Sequence, residues 1–306
     1  MTAAPANGIT IEYEEYGDPG DEPLLLVMGL GGQLVGWPID FVERLVDRGF
    51  RVIRYDNRDI GLSTKIDAPP PKRRHLVTAI LARRWARAEY LLTDMADDAV
   101  GLLDHLGIER AHIVGISMGG MISQSLAIQH PQRVASLTSI MSNTGDRKNG
   151  KIHRSLYRPF LKTIAKTRDE AVAKGVEGFR LISGPHFSED EAELRAILEA
   201  ALARSWDNEG TARQTMAITA SPDRTSALGS LTVPTLVIHG LVDPLVMPSG
   251  GIATAKAIPG SRLLTFPDMG HDLPKVRWDE MIDAIVDNTR RAGFQGAEAL
   301  VAAAVS

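Results

Sequence analysis

A chain of 306 residues with 44% hydrophobic content is long enough for one substantial core carrying a smaller insertion. Lysine and arginine total 34 against 38 acidic residues, a net charge of −4. No overall field recruits nucleic acid, and the balance suits a small uncharged or modestly charged ligand. The absence of cysteine excludes disulfides, thiol nucleophiles and thiolate metal sites.

Met1 to Gly8 has neither a basic leader nor an apolar stretch, and no uninterrupted apolar run reaches about 18 residues. The expectation is a cytoplasmic protein with no integral membrane segment, peripheral lipid contact remaining open. Ile9 to Tyr16 alternates apolar and acidic residues and ends at Gly17-Asp18-Pro19-Gly20, which predicts a half-exposed hairpin strand. Leu24 to Val27 and Val52 to Tyr55 are short apolar runs of the kind buried on both sheet faces. The first leads into the glycine loop Met28-Gly29-Leu30-Gly31-Gly32. The second leads into Asp56-Asn57-Arg58-Asp59-Ile60-Gly61-Leu62-Ser63, whose expected role is bracing loops through an Arg58 carboxylate pair.

The run Pro69 to Arg74 interrupts the pattern, and a helix-like stretch from Leu76 to Leu92 carries Arg83, Arg84 and Arg87. The favoured reading is a solvated face with arginine stems over apolar neighbours; contact with an inserted cap or an anionic surface is the alternative. Met95, Ala99, Leu102, Leu103 and Leu106 follow helical spacing between Thr93, the expected N-cap, and Gly107, the expected stop. His112 to Val114 and Leu137 to Ile140 are further strands, separated by a helix from Met118 to Gln129 that stops at His130-Pro131. The alternation then lapses after about Asn143 and resumes at Val233, leaving a stretch rich in Arg, Lys, Ala and Glu that reads as an inserted helical cap. Thr235 to Ile238 and Arg262 to Phe266 complete the strands. Trp278, Met281, Ile282, Ile285 and Val286 mark a last helix, and Gly296 to Ser306 is an alanine-rich tail. Strands alternating with helices predict a mostly parallel sheet covered on both faces, with ligands gathered at the carboxyl ends of its strands.

Gly115-Ile116-Ser117-Met118-Gly119 lies at such an end. A serine between a buried strand and a helix, flanked by glycines that avoid Cβ clashes, has its hydroxyl projected from the sheet as a nucleophile. A serine hydroxyl needs a base to take its proton and an acid to orient that base. His271 is the expected base: it follows Gly270 in a short loop after the last strand and precedes the last helix. His239, His105 and His112 carry structural readings. Asp243, in Gly240-Leu241-Val242-Asp243-Pro244, is the expected acid and completes the order serine, aspartate, histidine. Asp146 competes for that role; Asp272 does so poorly, because adjacent side chains diverge. The amides of Leu30 and Met118 are the expected donors for a developing oxyanion.

Gly115-Ile116-Ser117-Met118-Gly119-Gly120, Asp243 before Pro244, and Gly270-His271 together resemble the serine α/β-hydrolase superfamily. Met28-Gly29-Leu30-Gly31-Gly32 with Gly36-Trp37-Pro38, Asp56-Asn57-Arg58-Asp59 and Gly270-His271-Asp272-Leu273-Pro274 resemble its branch of aclacinomycin methylesterase and actinobacterial lipases or carboxylesterases. The resemblance implies ester hydrolysis on an α/β fold with an eight-stranded, mostly parallel sheet and a helical lid. The expected division is core at 1–143 and 230–293, lid at 144–229 and tail at 294–306. Met28 departs from the histidine often found before the glycine of the oxyanion loop; the donor is a backbone amide, so function is expected to survive. No cofactor or metal is expected, and the partner is a small ester or lipid. Leu156, Phe160, Phe179, Phe187 and Met216 are candidates for an acyl pocket or for lid core. The same triad also serves thioesterases, phospholipases, carbon–carbon bond hydrolases and perhydrolases, and a non-hydrolytic receptor on this fold is the alternative of another class. Dehalogenase and epoxide hydrolase chemistry is disfavoured, because those relatives have aspartate where this chain has Ser117.

Overall fold

The computed structural model describes residues 2–72, 86–157, 165, 167–207 and 209–305, with the side chains of 188, 189 and 294–305 left aside. Its eight strands form one sheet: β1 (Thr2–Ala6), β2 (Ile9–Tyr16), β3 (Glu22–Val27), β4 (Phe50–Tyr55), β5 (Ala111–Ile116), β6 (Val134–Ile140), β7 (Thr235–Gly240) and β8 (Arg262–Phe266). Their spatial order is β1-β2-β4-β3-β5-β6-β7-β8. β1 pairs with β2 and β2 with β4 antiparallel, and the other five pairings are parallel.

Alternation along β3 shows why these runs are apolar throughout. Leu25 and Val27 enter one core with Ile53, Ile113 and helices α2 (Leu92–His105) and α3 (Met118–Gln129). Leu24 and Leu26 enter the other, with Val52, Val114 and Ile238 and with Phe41 of α1 (Ile39–Val46). Each strand residue meets a covered face, so each must be apolar. All five apolar residues anticipated at the start of the last helix, α9 (Trp278–Val305), are buried in that second core. The helix runs on through most of the expected tail.

Three local expectations are corrected. The hairpin lies at Asn7-Gly8, where φ is 48° and 77°, joining β2 to a preceding strand; the chain after Gly17 instead crosses to β3. Two successive left-handed residues are what a tight hairpin turn with native twist requires. Strand β1 was unanticipated because its sequence, Thr-Ala-Ala-Pro-Ala, has little strand propensity; edge pairing to β2 creates it, and Pro5 is tolerated at an edge. Helix α2 starts one residue before the expected cap: Leu91 precedes it, and the Asp94 carboxylate accepts from Leu91 N at 2.6 Å. Gly107, with φ of 66°, sits just past the helix end. Most of the Leu76 to Leu92 stretch, including Arg83 and Arg84, lies outside the described residues, while Arg87 is exposed and not helical.

Between β6 and β7 the described chain holds α4 (Arg168–Ile182), α5 (Phe187–Arg204), α6 (Glu209–Ala220) and the single turn α7 (Thr225–Leu228). Helix α8 (Ser249–Ala257) returns the chain to the sheet. No helix among the described residues is long and apolar enough to cross a membrane.

Candidate active site

Ser117 occupies a strained corner between β5 and α3, with φ of 53° and ψ of −120°. A non-glycine residue in this region persists only when its surroundings impose it. Here Ser117 N donates to Ile140 O at 2.9 Å and Ser142 Oγ donates to Ser117 O at 2.9 Å, fixing both sides of the corner to the end of β6. The flanking glycines are required by close approach. A Cβ on Gly115 would lie 2.3 Å from Gly119 O, and one on Gly119 would lie 2.0 Å from Val27 O.

Three separate strand ends deliver the reacting groups. His271 Nε2 lies 2.9 Å from Ser117 Oγ, and His271 Nδ1 lies 2.7 Å from Asp243 Oδ2. An ionised carboxylate only accepts, so Nδ1 carries the proton and Nε2 is left to accept from the serine hydroxyl. The other carboxylate oxygen of Asp243 accepts from Leu245 N at 2.8 Å and Val246 N at 2.9 Å, which prevents its rotation. Asp243 and His271 are both buried. Beside them, His239 Nε2 donates to Val246 O at 2.7 Å, and burial pushes its pKa below the usual imidazole range, keeping it neutral next to Asp243.

The rival carboxylates are occupied elsewhere. Asp146 accepts from Lys148 N at 2.6 Å and Asn149 N at 2.7 Å, and also from the Asn149 amide. Partial burial opposes ionisation there, yet those donors hold its pKa below the ordinary carboxylate value. Asp272 accepts from Gly270 N and Gly184 N, and burial raises its pKa. It closes the histidine loop without orienting the ring. Among the described residues no cluster of three or more His, Asp or Glu is arranged to hold a metal ion.

Met118 follows the nucleophile directly, and the loop of Leu30 approaches it. Met118 opens α3, where first-turn amides lack helical partners. The loop of Leu30 lies over Ser117: a Cβ on Gly29 would fall 3.2 Å from Ser117 Cβ. The arrangement can move a proton from the serine to the imidazole while backbone amides meet negative charge beside it.

The Asp56 to Asp59 segment braces more than was anticipated. Arg58 pairs with Asp98 at 2.6 Å; burial disfavours the charged guanidinium, but the Asp98 carboxylate raises its pKa nonetheless. Asp56 and Asp59 reach the inserted helices, to Arg204 at 3.0 Å and to Arg213 at 2.9 Å. Those partners stand 148 and 154 residues away in sequence, and no local signal identifies them. Of the acyl-pocket candidates, Phe187 packs with Val172 and Val176 inside the inserted helices, Phe179 is exposed, Leu156 and Met216 are buried, and Phe160 lies outside the described residues.

A family model described as alpha/beta hydrolase fold matches residues 22–181. Rhodomycin D methylesterase of Streptomyces peucetius is 32% identical over 306 residues, covering 93% of this chain and 96% of the relative. The crystal structure of an enol-lactonase from Burkholderia xenovorans superposes with a TM-score of 0.71 at 24% identity, covering 94% of this chain and 99% of that one. A thermophilic esterase from Thermogutta terrifontis superposes at 0.66 and 24% identity, over 93% of this chain and 94% of its own. At that identity the two structures speak for the fold. With the family match, the relative and the eight-stranded sheet in agreement, the chain belongs to the alpha/beta hydrolase fold family.

Proposed function

We propose that the protein is a serine esterase that cleaves carboxylic esters through Ser117, His271 and Asp243. Ser117 Oγ attacks the ester carbonyl as its proton passes to His271 Nε2, and the Leu30 and Met118 amides receive the oxyanion. Collapse releases the alcohol, which takes the proton from His271, and leaves an acyl group on Ser117. Water then attacks the acyl carbonyl as its proton passes to the same imidazole; the acyl bond to Ser117 Oγ breaks, that oxygen takes the proton back from His271, and the acid leaves. Asp243 holds the ring and offsets its charge while it is protonated. The single observation that carries this reading is the unbroken pair of hydrogen bonds from Asp243 through His271 to Ser117, at 2.7 and 2.9 Å.

The methylesterase relative supports methyl carboxylates as the first substrates to try. Residues 144–229 are the helical lid in this reading. Purified wild type and Ser117→Ala are compared on p-nitrophenyl acetate and on a panel of methyl esters. The variant is expected to lose at least about 10³-fold in kcat, and a fluorophosphonate is expected to label only the wild type. Equal turnover by the two proteins would end the assignment.

A further inference from the structure

The loop above Ser117 is held from the far side by a residue of the inserted helices. Gln214, on α6, is fully buried, with both halves of its amide engaged by main chain. Its Oε1 accepts from Gly31 N at 2.9 Å and its Nε2 donates to Arg58 O at 3.0 Å. Only one orientation of the amide satisfies a donor on one side and an acceptor on the other.

The bond to Gly31 selects between two forms of a turn. Gly32 N donates to Gly29 O at 3.2 Å, so Gly29 to Gly32 is a four-residue turn with Leu30 and Gly31 at its centre. Gly31 has φ of 69°, the sign that a type II turn requires at this position. Types I and II differ by a flip of the central peptide, the unit whose N–H belongs to Gly31. An acceptor waiting on one side of that N–H holds the type II form. The first peptide of the same turn carries Leu30 N–H on the opposite side from Gly29 C=O, because the unit is planar and trans. That first peptide is oriented alike in both types, so the Gln214 bond acts on Leu30 by anchoring the residue next to it and thereby holding the whole turn in place. Thr211, one turn before Gln214 on the same face of α6, seals the contact: a Cβ on Gly31 would fall 3.0 Å from its Oγ1.

We infer that Gln214 is a positioning residue for the oxyanion loop, anchoring the Gly29 to Gly32 turn through Gly31 so that Leu30 N–H stays in reach of the ester carbonyl above Ser117. The inference rests on the serine esterase reading. A misaimed donor is felt when charge develops on the carbonyl oxygen, so its loss lowers kcat and leaves KM nearly unchanged. A Gln214 that merely stabilised the inserted helices would lower the melting temperature without that split.

Full-length wild type, Gln214→Met, Gln214→Asn, Gln214→Glu and Val176→Ala are assayed on p-nitrophenyl acetate alongside Ser117→Ala, and all are melted. Met removes both hydrogen bonds at similar volume, and Asn keeps an amide one methylene too short, serving also where the Met variant fails to fold. Both are expected to lose about 10- to 100-fold in kcat, less than the roughly 10²- to 10³-fold of deleting an oxyanion donor, with KM within about twofold. Glu retains an acceptor for Gly31 N–H and is expected to recover most of the loss. Val176→Ala weakens the packing between the inserted helices and is expected to leave kcat unchanged. The inference is overturned if Met and Asn variants turn over within about twofold of wild type, or if Val176→Ala loses kcat as they do. A wild type without Ser117-dependent turnover overturns the esterase reading and this inference together; an active wild type with indifferent Gln214 variants overturns this inference alone.

Discussion

The sheet and the inserted helices are held by different physics. Strands β3 to β7 stack leucine, isoleucine and valine side chains into two extended cores with almost no exposure. Helices α4 and α5 share a small cluster built on Val172, Val176 and Phe187. Ala217 of α6 and Leu228 of α7 join the first core, but the loops bordering Ser117 are fastened to the inserted segment by polar contacts: Arg213 on Asp59, Arg204 on Asp56, Gln214 on Gly31 N and Arg58 O, and Gln33 donating to Ala201 O at 2.7 Å and Ser205 O at 2.9 Å. Apolar packing is non-directional and tolerates small shifts, whereas these bonds demand one geometry. The sheet provides bulk stability, and the inserted helices are keyed to the loops that border Ser117. Ile182 O, at the end of α4, accepts from His271 N at 2.7 Å, so the histidine loop is keyed in the same way as the oxyanion loop.

The sharpest test of that division concerns chemistry. Asp243 leaves the end of β7, while Asp146 lies just past β6 where the insertion begins. Asp243→Asn is expected to lower kcat by about 10³- to 10⁴-fold through the wrong imidazole tautomer, with Asp146→Asn within about threefold of wild type. A larger loss at Asp146 would move the acid to the other region. Next in size is the fastening. Arg213→Met leaves Asp59 charged and buried, and urea unfolding is expected to show a loss of about 3–5 kcal/mol. By contrast, Val176→Ala removes two methyl groups from the small helical cluster and should cost only about 1–2 kcal/mol. If the valine proves the costlier, packing and not charge pairing holds the insertion.

The smallest effect is expected at Asp268, where Arg277 and then His186, just before α5, hold the carboxyl pKa down to about 2 from 3.8. A folded-state pKa below the unfolded value stabilises above the unfolded value and ceases to do so as pH falls through the folded one. Asp268→Asn should therefore lower the melting temperature slightly at neutral pH. The gap to wild type should close between about pH 4 and pH 2, and a gap that persists there would assign the effect to something other than the carboxylate charge.

The grouping around Ser117 is legible in the sequence because each part is a local pattern. A glycine two residues from the nucleophile on either side, a Gly-His loop after the final strand, and an aspartate just past β7 are each readable within ten residues. Helix α3 was placed to the residue, since Pro131 ends it by its missing N–H and fixed ring. Strand β1 escaped because alanine and proline carry no periodic signal, although Asn7-Gly8 was a turn signal in plain view.

The sequence by itself pointed to most of the strands and helices in their order, the two-faced burial of the sheet, and Ser117 and His271 as two of the residues that meet at the carboxyl ends of its strands. These follow from side-chain periodicity and backbone chemistry acting over a few residues. Only the tertiary structure decided that Asp243 and not Asp146 faces His271, that Arg204 and Arg213 pair with Asp56 and Asp59, and that Gln214 supports a turn 183 residues earlier in the chain. Hydrogen bonds and ion pairs across such separations depend on where whole elements pack, and no run of neighbouring residues encodes them.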